Sequence, residues 1–258
     1  MISESLLPAI ELVSASWRPV LLRGLEAMDA ADPSYLPALA QDEYLPTKGR
    51  LFAAFAQPLD EIRYVLVGEG PYRREQSATG ICFMDGAVDA LWSASGLSKP
   101  VNRATSLRNF MKMLMVAYGL LTPDATGVEA VAEVAHHALA ANSHFIKTLP
   151  ELQQNLHTQG FLLLNAALVF RPHVAPAKEA KAWQPFLQVV LEALAERAGQ
   201  PPPTLVLWGK IAAQLQVMSV TERFPQAVAE HPYNLSFIKN KDMQQLFGPM
   251  SLLRAAGI

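Results

Sequence analysis

Four short apolar runs of this chain end at polar or glycine-rich positions. The runs end at Gly68-Glu69-Gly70, at Asn165, at Trp208-Gly209-Lys210 and at Glu230-His231. The amide of Asn165 carries an acceptor beside two donors, so it can pair with a ligand edge that presents an N–H beside a carbonyl. A neutral imidazole at His231 could donate to a developing anion. Each side chain also has a simpler explanation, as a core amide bonded to backbone and as a satisfied histidine at a strand end.

The surrounding pattern indicates how these groups are positioned. Four runs rich in apolar and β-branched residues predict strands, at 63–68, 161–170, 204–209 and 227–231. Helical periodicity covers 106–121, 128–141, 183–199 and 240–257, with Ser106 as the predicted N-cap of the first. This alternation predicts an α/β fold whose parallel sheet has helices on both faces. The carboxyl ends of parallel strands meet at one edge, so the four polar ends are expected to converge there.

Composition narrows the class of protein. The chain has 258 residues, a formal net charge of −2 and one cysteine, Cys82. The charge gives no overall signal for nucleic acid, although a local basic groove remains compatible with it. One cysteine excludes an internal disulfide and fits a reducing compartment. With no signal peptide and no membrane-length apolar run, we expect a cytoplasmic protein. His136 and His137 lie in a predicted helix without metal-ligand spacing, so no metal site is expected.

Five motifs in order resemble family 1 of the uracil-DNA glycosylases. They read "GEGPYRREQSATGICF", "ATSLRNFMKML", "GFLLLNAALVFRPH", "LVLWGKIAAQ" and "HPYNLS", where the family has GQDPYH with GLCF, PSL, LLLN, LLWG and HPSPLS. Each motif alone is weak, but five in the family order make a chance similarity improbable. The resemblance implies the three-layer fold of that family, with a central four-stranded parallel sheet flanked by helices. We expect 1–258 to form a single domain, with 1–45 a helical extension packed on it.

The resemblance also implies a role for each matching residue. Such enzymes flip uracil out of DNA and hydrolyse its bond to the sugar, without metal or organic cofactor. Asn165 would recognise the uracil edge and reject cytosine, Phe83 would stack on the ring, and Tyr72 would exclude a thymine methyl group. His231 would donate to the uracil O2. Phe83, taken alone, is more typical of a core residue. The implied DNA contacts are the wedge Leu235 and the phosphate-contacting Ser106 and Ser236, and we add the nearby cations Arg73, Lys210 and Lys239.

The first motif departs from the family. Gly70 occupies the position of the aspartate that orients the attacking water, and Glu69 and Arg73 replace the glutamine and histidine of GQDPYH. Glu69 could substitute for the aspartate, as in relatives with a glutamate in this turn, although neighbouring turn residues usually point in different directions. Asp85 could supply the carboxylate instead. The third alternative is that no residue activates water efficiently, which typically costs roughly 10²–10⁴ in rate.

Two functions follow from these alternatives. The first is a divergent glycosylase of base-excision repair that removes uracil or a related base from single- or double-stranded DNA, acts as a monomer and contacts no membrane. The second is a catalytically weak or inactive protein of the same fold that binds DNA or flipped bases. The loop at 84–105, which is longer than the family pattern, could also serve a structural interaction protein, but the retained pocket residues favour the first two.

Overall fold

A four-stranded parallel sheet is the centre of the fold in the computed structural model, which describes residues 7–255. The chain also forms a separate antiparallel pair. In chain order the strands are β1 (Tyr64–Gly68), β2 (Trp92–Ser93), β3 (Gly96–Leu97), β4 (Phe161–Asn165), β5 (Thr204–Trp208) and β6 (Gln226–Ala229). The main sheet has the order β4-β1-β5-β6, and β2 pairs with β3. This confirms the predicted α/β class and its four strands.

The described part of the chain also forms ten α-helices. They are α1 (Leu7–Glu11), α2 (Arg18–Ala31), α3 (Tyr35–Ala40), α4 (Lys99–Arg103), α5 (Thr105–Ala117), α6 (Val128–Leu139), α7 (Leu149–Thr158), α8 (Pro176–Ala195), α9 (Lys210–Gln216) and α10 (Lys241–Phe247). Within residues 7–255, no helix combines the length and the apolar character needed to cross a membrane.

The described residues form two compact units. Unit 1 comprises 7–86, 160–207 and 211–226, and unit 2 comprises 87–159, 208–210 and 227–255. The core of unit 1 packs α2 against α8, and side chains such as Leu21, Leu25 and Phe186 are buried there. Gly24 permits this approach, because a Cβ at that position would lie 2.6 Å from the ring of Phe186. Residues 1–6 of the extension predicted over 1–45 lie outside the described residues, and the helices that follow contribute side chains to the core of unit 1.

The core of unit 2 is built around α5. Phe110 of this helix packs against the rings of Trp208 and Phe247, at centroid distances of 5.7 and 5.1 Å. Trp208 closes β5, and its indole N–H donates to the sulfur of Met243 on α10 at 3.3 Å. These contacts fix the backbone immediately before Gly209.

Several predicted element boundaries are wrong. The helix predicted from 106 begins at Thr105, and its N-cap is Ala104, which makes no side-chain capping bond. The helix predicted over 240–257 stops at Phe247, because Gly248 and Pro249 follow and proline lacks the N–H that a helix interior needs. Strand β4 ends at Asn165 instead of continuing to 170. Helix α8 begins at Pro176, seven residues before the predicted start, with proline in the first turn where it is well tolerated.

The segment 84–105 is not a simple loop. It contains the β2–β3 pair and helix α4, which follows directly. Ser98 caps α4 by accepting a bond from the Val101 N–H at 3.3 Å, and the side chain of Asn102 donates to the Leu97 carbonyl at 2.8 Å. The segment is therefore locally ordered by its own hydrogen bonds.

Candidate active site

A buried amide without a protein partner marks the candidate site in unit 1. Asn165 is the register partner of Gly68 in the sheet, and it is only 5% exposed. A Cβ on Gly68 would lie 3.0 Å from Asn165 Oδ1 and 2.5 Å from Cys82 Sγ, so only glycine fits there. Among residues 7–255, the Asn165 side chain accepts and donates no hydrogen bond. The amide is not among the fully enclosed polar groups without a partner, so its polar atoms are accessible and are open to a ligand, which argues against the simple core explanation.

The side chain of Cys82, near Asn165, is uncharged. Burial raises the pKa of the Cys82 thiol to about 12, so the sulfur remains protonated at physiological pH. The Cys82 N–H donates to the Leu163 carbonyl at 3.0 Å, which attaches this segment to β4. An uncharged side chain at this position favours a ligand that is also uncharged where it meets the amide, because an unpaired buried charge costs free energy.

Phe83 and Tyr72 lie together in unit 1. Phe83 has a positive φ of 68°, which is strained for a phenylalanine, and its side chain is half-buried. Phe83 is therefore only partly enclosed by the core, and part of its ring is accessible. The hydroxyl of Tyr72 donates to the Phe83 carbonyl at 3.4 Å. Burial, together with the neighbouring Cys82 and Asp85, raises the pKa of Tyr72, so its hydroxyl is protonated. Strained backbone of this kind is frequent at functional sites.

The turn after β1 leaves open space at Gly70. A Cβ there would meet its nearest neighbour, the Ala167 carbonyl oxygen, at 3.6 Å, which is ordinary contact. The residue lines a cavity of about 120 Å³ together with the exposed Glu69 and with Arg73, whose guanidinium lies 5.8 Å from the Phe170 ring centre. Nothing in the local packing therefore requires glycine at position 70.

The two candidate carboxylates differ in their surroundings. Glu69 is exposed and lines the same cavity as Gly70. Asp85 is buried, does not line that cavity, and lies 3.9 Å from the Arg74 guanidinium. Asp85 also interacts with the Tyr72 hydroxyl. Glu69, unlike Asp85, therefore lies beside the open space at Gly70.

The turn after β6 in unit 2 holds His231 in one tautomer. Its Nδ1 accepts the Tyr233 backbone N–H at 3.1 Å. A nitrogen that accepts a hydrogen bond carries no proton, so in the neutral imidazole the proton is on Nε2. Gly209 has a φ of 64°, and a Cβ there would lie 2.8 Å from the His231 Cβ. The ring is thus fixed as an Nε2–H donor.

Asn109 supports this turn, and sequence reasoning missed it. The residue is fully buried in α5, and its amide nitrogen lies 2.7 Å from the Pro232 carbonyl oxygen, 3.3 Å from that of Tyr233 and 3.4 Å from that of Asn234. Its partners are more than 120 positions away in the chain, and no local pattern indicates such a contact. A buried polar residue on an otherwise apolar helix face was the only available signal.

The tip of the same turn projects apolar side chains into solvent. Tyr233 is 68% exposed and Leu235 is 70% exposed. Ser236 behaves differently, because it hydrogen-bonds the Glu230 carboxylate. Burial alone would raise the pKa of Glu230, but hydrogen bonds from the backbone, Ser236 and Asn240 outweigh it and lower that pKa. A backbone fixed at its base thus presents two free apolar side chains.

The remaining predicted DNA contacts are placed as follows. Ser106 is half-buried in the first turn of α5, and Lys210 is exposed at the start of α9. Lys239 already forms an ion pair, with its Nζ 2.6 Å from Asp124 Oδ1.

His136 and His137 lie in the last turn of α6. No group of three or more His, Cys, Asp or Glu side chains suited to a metal ion occurs in the described residues.

Comparison with known proteins agrees with this architecture. Residues 56–250 match the profile of the Uracil DNA glycosylase superfamily. The chain is thus a member of the uracil-DNA glycosylase superfamily, as the five motifs predicted.

Individual relatives are consistent with that membership. The chain is 40% identical to the wild-type UNG of Nitratifractor salsuginis, and the two structures match with a TM-score of 0.86 over 98% of this chain and 96% of that one. It is 29% identical to the uracil-DNA glycosylase of Corynebacterium glutamicum over 78% of this chain and 73% of the relative. The uracil-DNA glycosylase 1 of Streptomyces avermitilis is also 29% identical, with 89% and 84% covered. A mimivirus UNG variant in complex with UGI shares the fold at 16% identity, with a TM-score of 0.53 over 87% of this chain and 72% of that one.

Proposed function

We propose that this protein is a DNA glycosylase that hydrolyses the bond between uracil, or a related base, and its sugar. The observation that carries the proposal is the buried, unpartnered amide of Asn165. An acceptor beside a donor on this amide matches the N–H and carbonyl of the uracil edge. The half-buried Phe83 offers a ring for stacking, and Tyr72, next to it, would leave no room for a methyl group. The relatives from Corynebacterium glutamicum and Streptomyces avermitilis are named for this activity, which supports the proposal.

His231 would stabilise the departing base. As the bond to the sugar breaks, negative charge accumulates on uracil and positive charge on the sugar. The Nε2–H of a neutral His231 would donate to the uracil O2 and would stabilise that negative charge most in the transition state. The Tyr233 N–H, bonded to Nδ1, supports the role by fixing the tautomer. No metal or organic cofactor is needed for these steps.

Water activation would depend on Glu69 or would be weak. The Glu69 carboxylate is exposed beside the cavity at Gly70, and it could accept a proton from, or orient, a water molecule there. Asp85 is less suited, because it is buried and faces Arg74. If neither acts, the residual stabilisation by His231 would still give slow excision.

The alternative function is binding without excision, and it is favoured by the missing carboxylate at Gly70. In either case DNA is the proposed partner, and Ser106, Ser236, Leu235, Arg73, Lys210 and Lys239 are its proposed contacts. Lys239 would have to exchange its pairing with Asp124 for a phosphate. We further propose a cytoplasmic monomer in which 1–258 functions as one domain.

A single-turnover assay tests the proposal. The purified protein, in excess, is incubated with labelled single strands that carry one uracil, thymine or cytosine, and abasic products are cleaved and counted. The expected result is excision of uracil alone, at a rate that falls in the Asn165→Ala variant. Uracil-selective binding without product would support the alternative function instead. Equal affinity for all strands and no product would contradict both.

A further inference from the structure

The segment between Asp89 and Asp124 has an unusual charge. It contains four cations, Lys99, Arg103, Arg108 and Lys112, and no Asp or Glu. The whole chain, in contrast, has 21 Lys and Arg against 23 Asp and Glu. The four cations lie on α4 and α5, two helices of unit 2 that pack together. A local positive excess in a nearly neutral protein attracts a polyanion, because the field at the surface depends on nearby charges.

Two of these cations are committed to the protein itself. Arg108 Nη1 donates to the Asn102 carbonyl at 3.2 Å. The Lys112 ammonium donates to the Thr126 carbonyl at 2.7 Å. Burial, and then the nearby Arg108, lower the pKa of Lys112. These two residues hold α5 to its neighbours and are poorly placed to bind an external anion.

Lys99 and Arg103 on α4 are free in the described structure. Both are exposed, and neither forms an ion pair or a side-chain hydrogen bond with residues 7–255. They are four positions apart, so they lie on one face of the helix about 6 Å apart along its axis. The helix itself is fixed by its Ser98 cap and by Asn102. A rigid short helix thus presents two unpaired cations side by side, and Arg103 precedes Ser106 by only three residues.

We propose that α4 is a clamp for the DNA backbone, in which Lys99 and Arg103 each neutralise a phosphate of the strand that carries the target base. The inference rests on the proposed function, which supplies DNA as the partner. It assigns a role to the segment 84–105, which is longer than the family pattern. Two flexible cations without a base-reading amide would add affinity that is independent of sequence.

The test is the salt dependence of DNA binding. Anisotropy titrations with a labelled uracil-containing strand are run at several salt concentrations for the wild type and for Lys99→Gln/Arg103→Gln. The slope of log affinity against log salt should become shallower by about 1 for each cation removed. The single-turnover rate from saturated complex should remain within about twofold of wild type, because neither residue is proposed to touch the base or the sugar. The charge reversal Lys99→Glu/Arg103→Glu should weaken binding further.

A matched control separates this site from overall charge. Arg23→Gln/Lys181→Gln removes two exposed cations from unit 1 that form no ion pair within residues 7–255, and it should leave the slope unchanged. Equal slopes for the wild type and the α4 variant would overturn the clamp while leaving the glycosylase proposal intact. Equal losses in the α4 and control variants would overturn it as well, because charge alone would explain them. Absence of DNA binding by the wild type at every salt concentration would overturn the proposed function itself.

Discussion

The turn after β1 and the turn after β6 differ in how many contacts fix their residues. The Gly68–Arg73 turn has open space at Gly70, and the Glu69 side chain in it is exposed. The His231–Ser236 turn is fixed by Asn109 at three carbonyls and by the bond from Tyr233 to His231. The His231 ring therefore has a fixed support in this protein, whereas position 70, where the family resemblance implies an aspartate, has none. A side chain added at position 70 would meet only ordinary contacts, the nearest with the Ala167 carbonyl oxygen at 3.6 Å.

The largest effect is expected from restoring the carboxylate. Gly70→Asp should raise single-turnover uracil excision by roughly 10²–10⁴, the usual contribution of a general base. The substitution should be tolerated, since a Cβ at position 70 has no close contact and its φ lies outside the left-handed region. Gly70→Asn is the matched control, because it adds a similar volume without the charge.

The companion variants identify a surrogate base. If Glu69→Gln abolishes wild-type excision, Glu69 already fills the role and the gain from Gly70→Asp should be smaller. If Asp85→Asn does so instead, the preference for Glu69 drawn from the cavity is wrong. A folded Gly70→Asp protein that binds uracil-containing DNA without any gain in rate would favour the binding-protein alternative.

The second effect concerns the rigid turn. His231→Ala should lower the single-turnover rate by about 10²–10³, the range measured for loss of one donor to a developing oxyanion. Affinity for uracil-containing DNA should change little, because the bond is strongest in the transition state. His136→Ala, at an exposed position of α6, serves as the control. An unchanged rate in His231→Ala would show that the imidazole has no catalytic role.

The comparison also explains what the sequence could predict. The existence of the four strands followed from short apolar runs, which are local signals, but the runs at 161–170 and 227–231 extend past the observed ends at Asn165 and Ala229. The support of the second turn could not be predicted, because Asn109 acts on carbonyls that are distant in the chain. The start of α5 was misplaced for a related reason. Ser106 has the composition of an N-cap, but the chain enters α5 directly from α4, with Ala104 at the boundary.

A third, smaller effect tests the pocket. Asn165→Ala should weaken binding of uracil-containing strands by about 1–3 kcal/mol, because the base edge is then buried without partners. Tyr72→Ala should leave uracil affinity nearly constant while admitting thymine. Competition titrations with uracil, thymine and cytosine strands measure both. If Asn165→Ala weakens all three strands equally, the amide does not read the base.

The smallest effect is expected at the exposed tip. Tyr233→Ser should lower affinity for a uracil-containing duplex by about 1 kcal/mol, the lower end for one aromatic ring stacked on a base. Leu235→Ala should act in the same direction and should affect duplex more than single strands, since only a duplex has a gap to fill. Val128→Ala, at another exposed apolar position, is the control. Equal losses on both kinds of strand would argue against a wedge.

The position of the Asn109 amide has a mechanical consequence. Its nitrogen has two N–H donors and lies within 3.4 Å of the carbonyl oxygens of Pro232, Tyr233 and Asn234, so it attaches the segment 231–235 to α5. A displacement of the tip that preserves these contacts would carry the imidazole with it. With the roles proposed above for Leu235 and His231, entry of the leucine into a base stack and arrival of the Nε2–H at its acceptor would occur together. The donor would reach its working position only on strands that the tip has already opened, which would protect intact bases from attack.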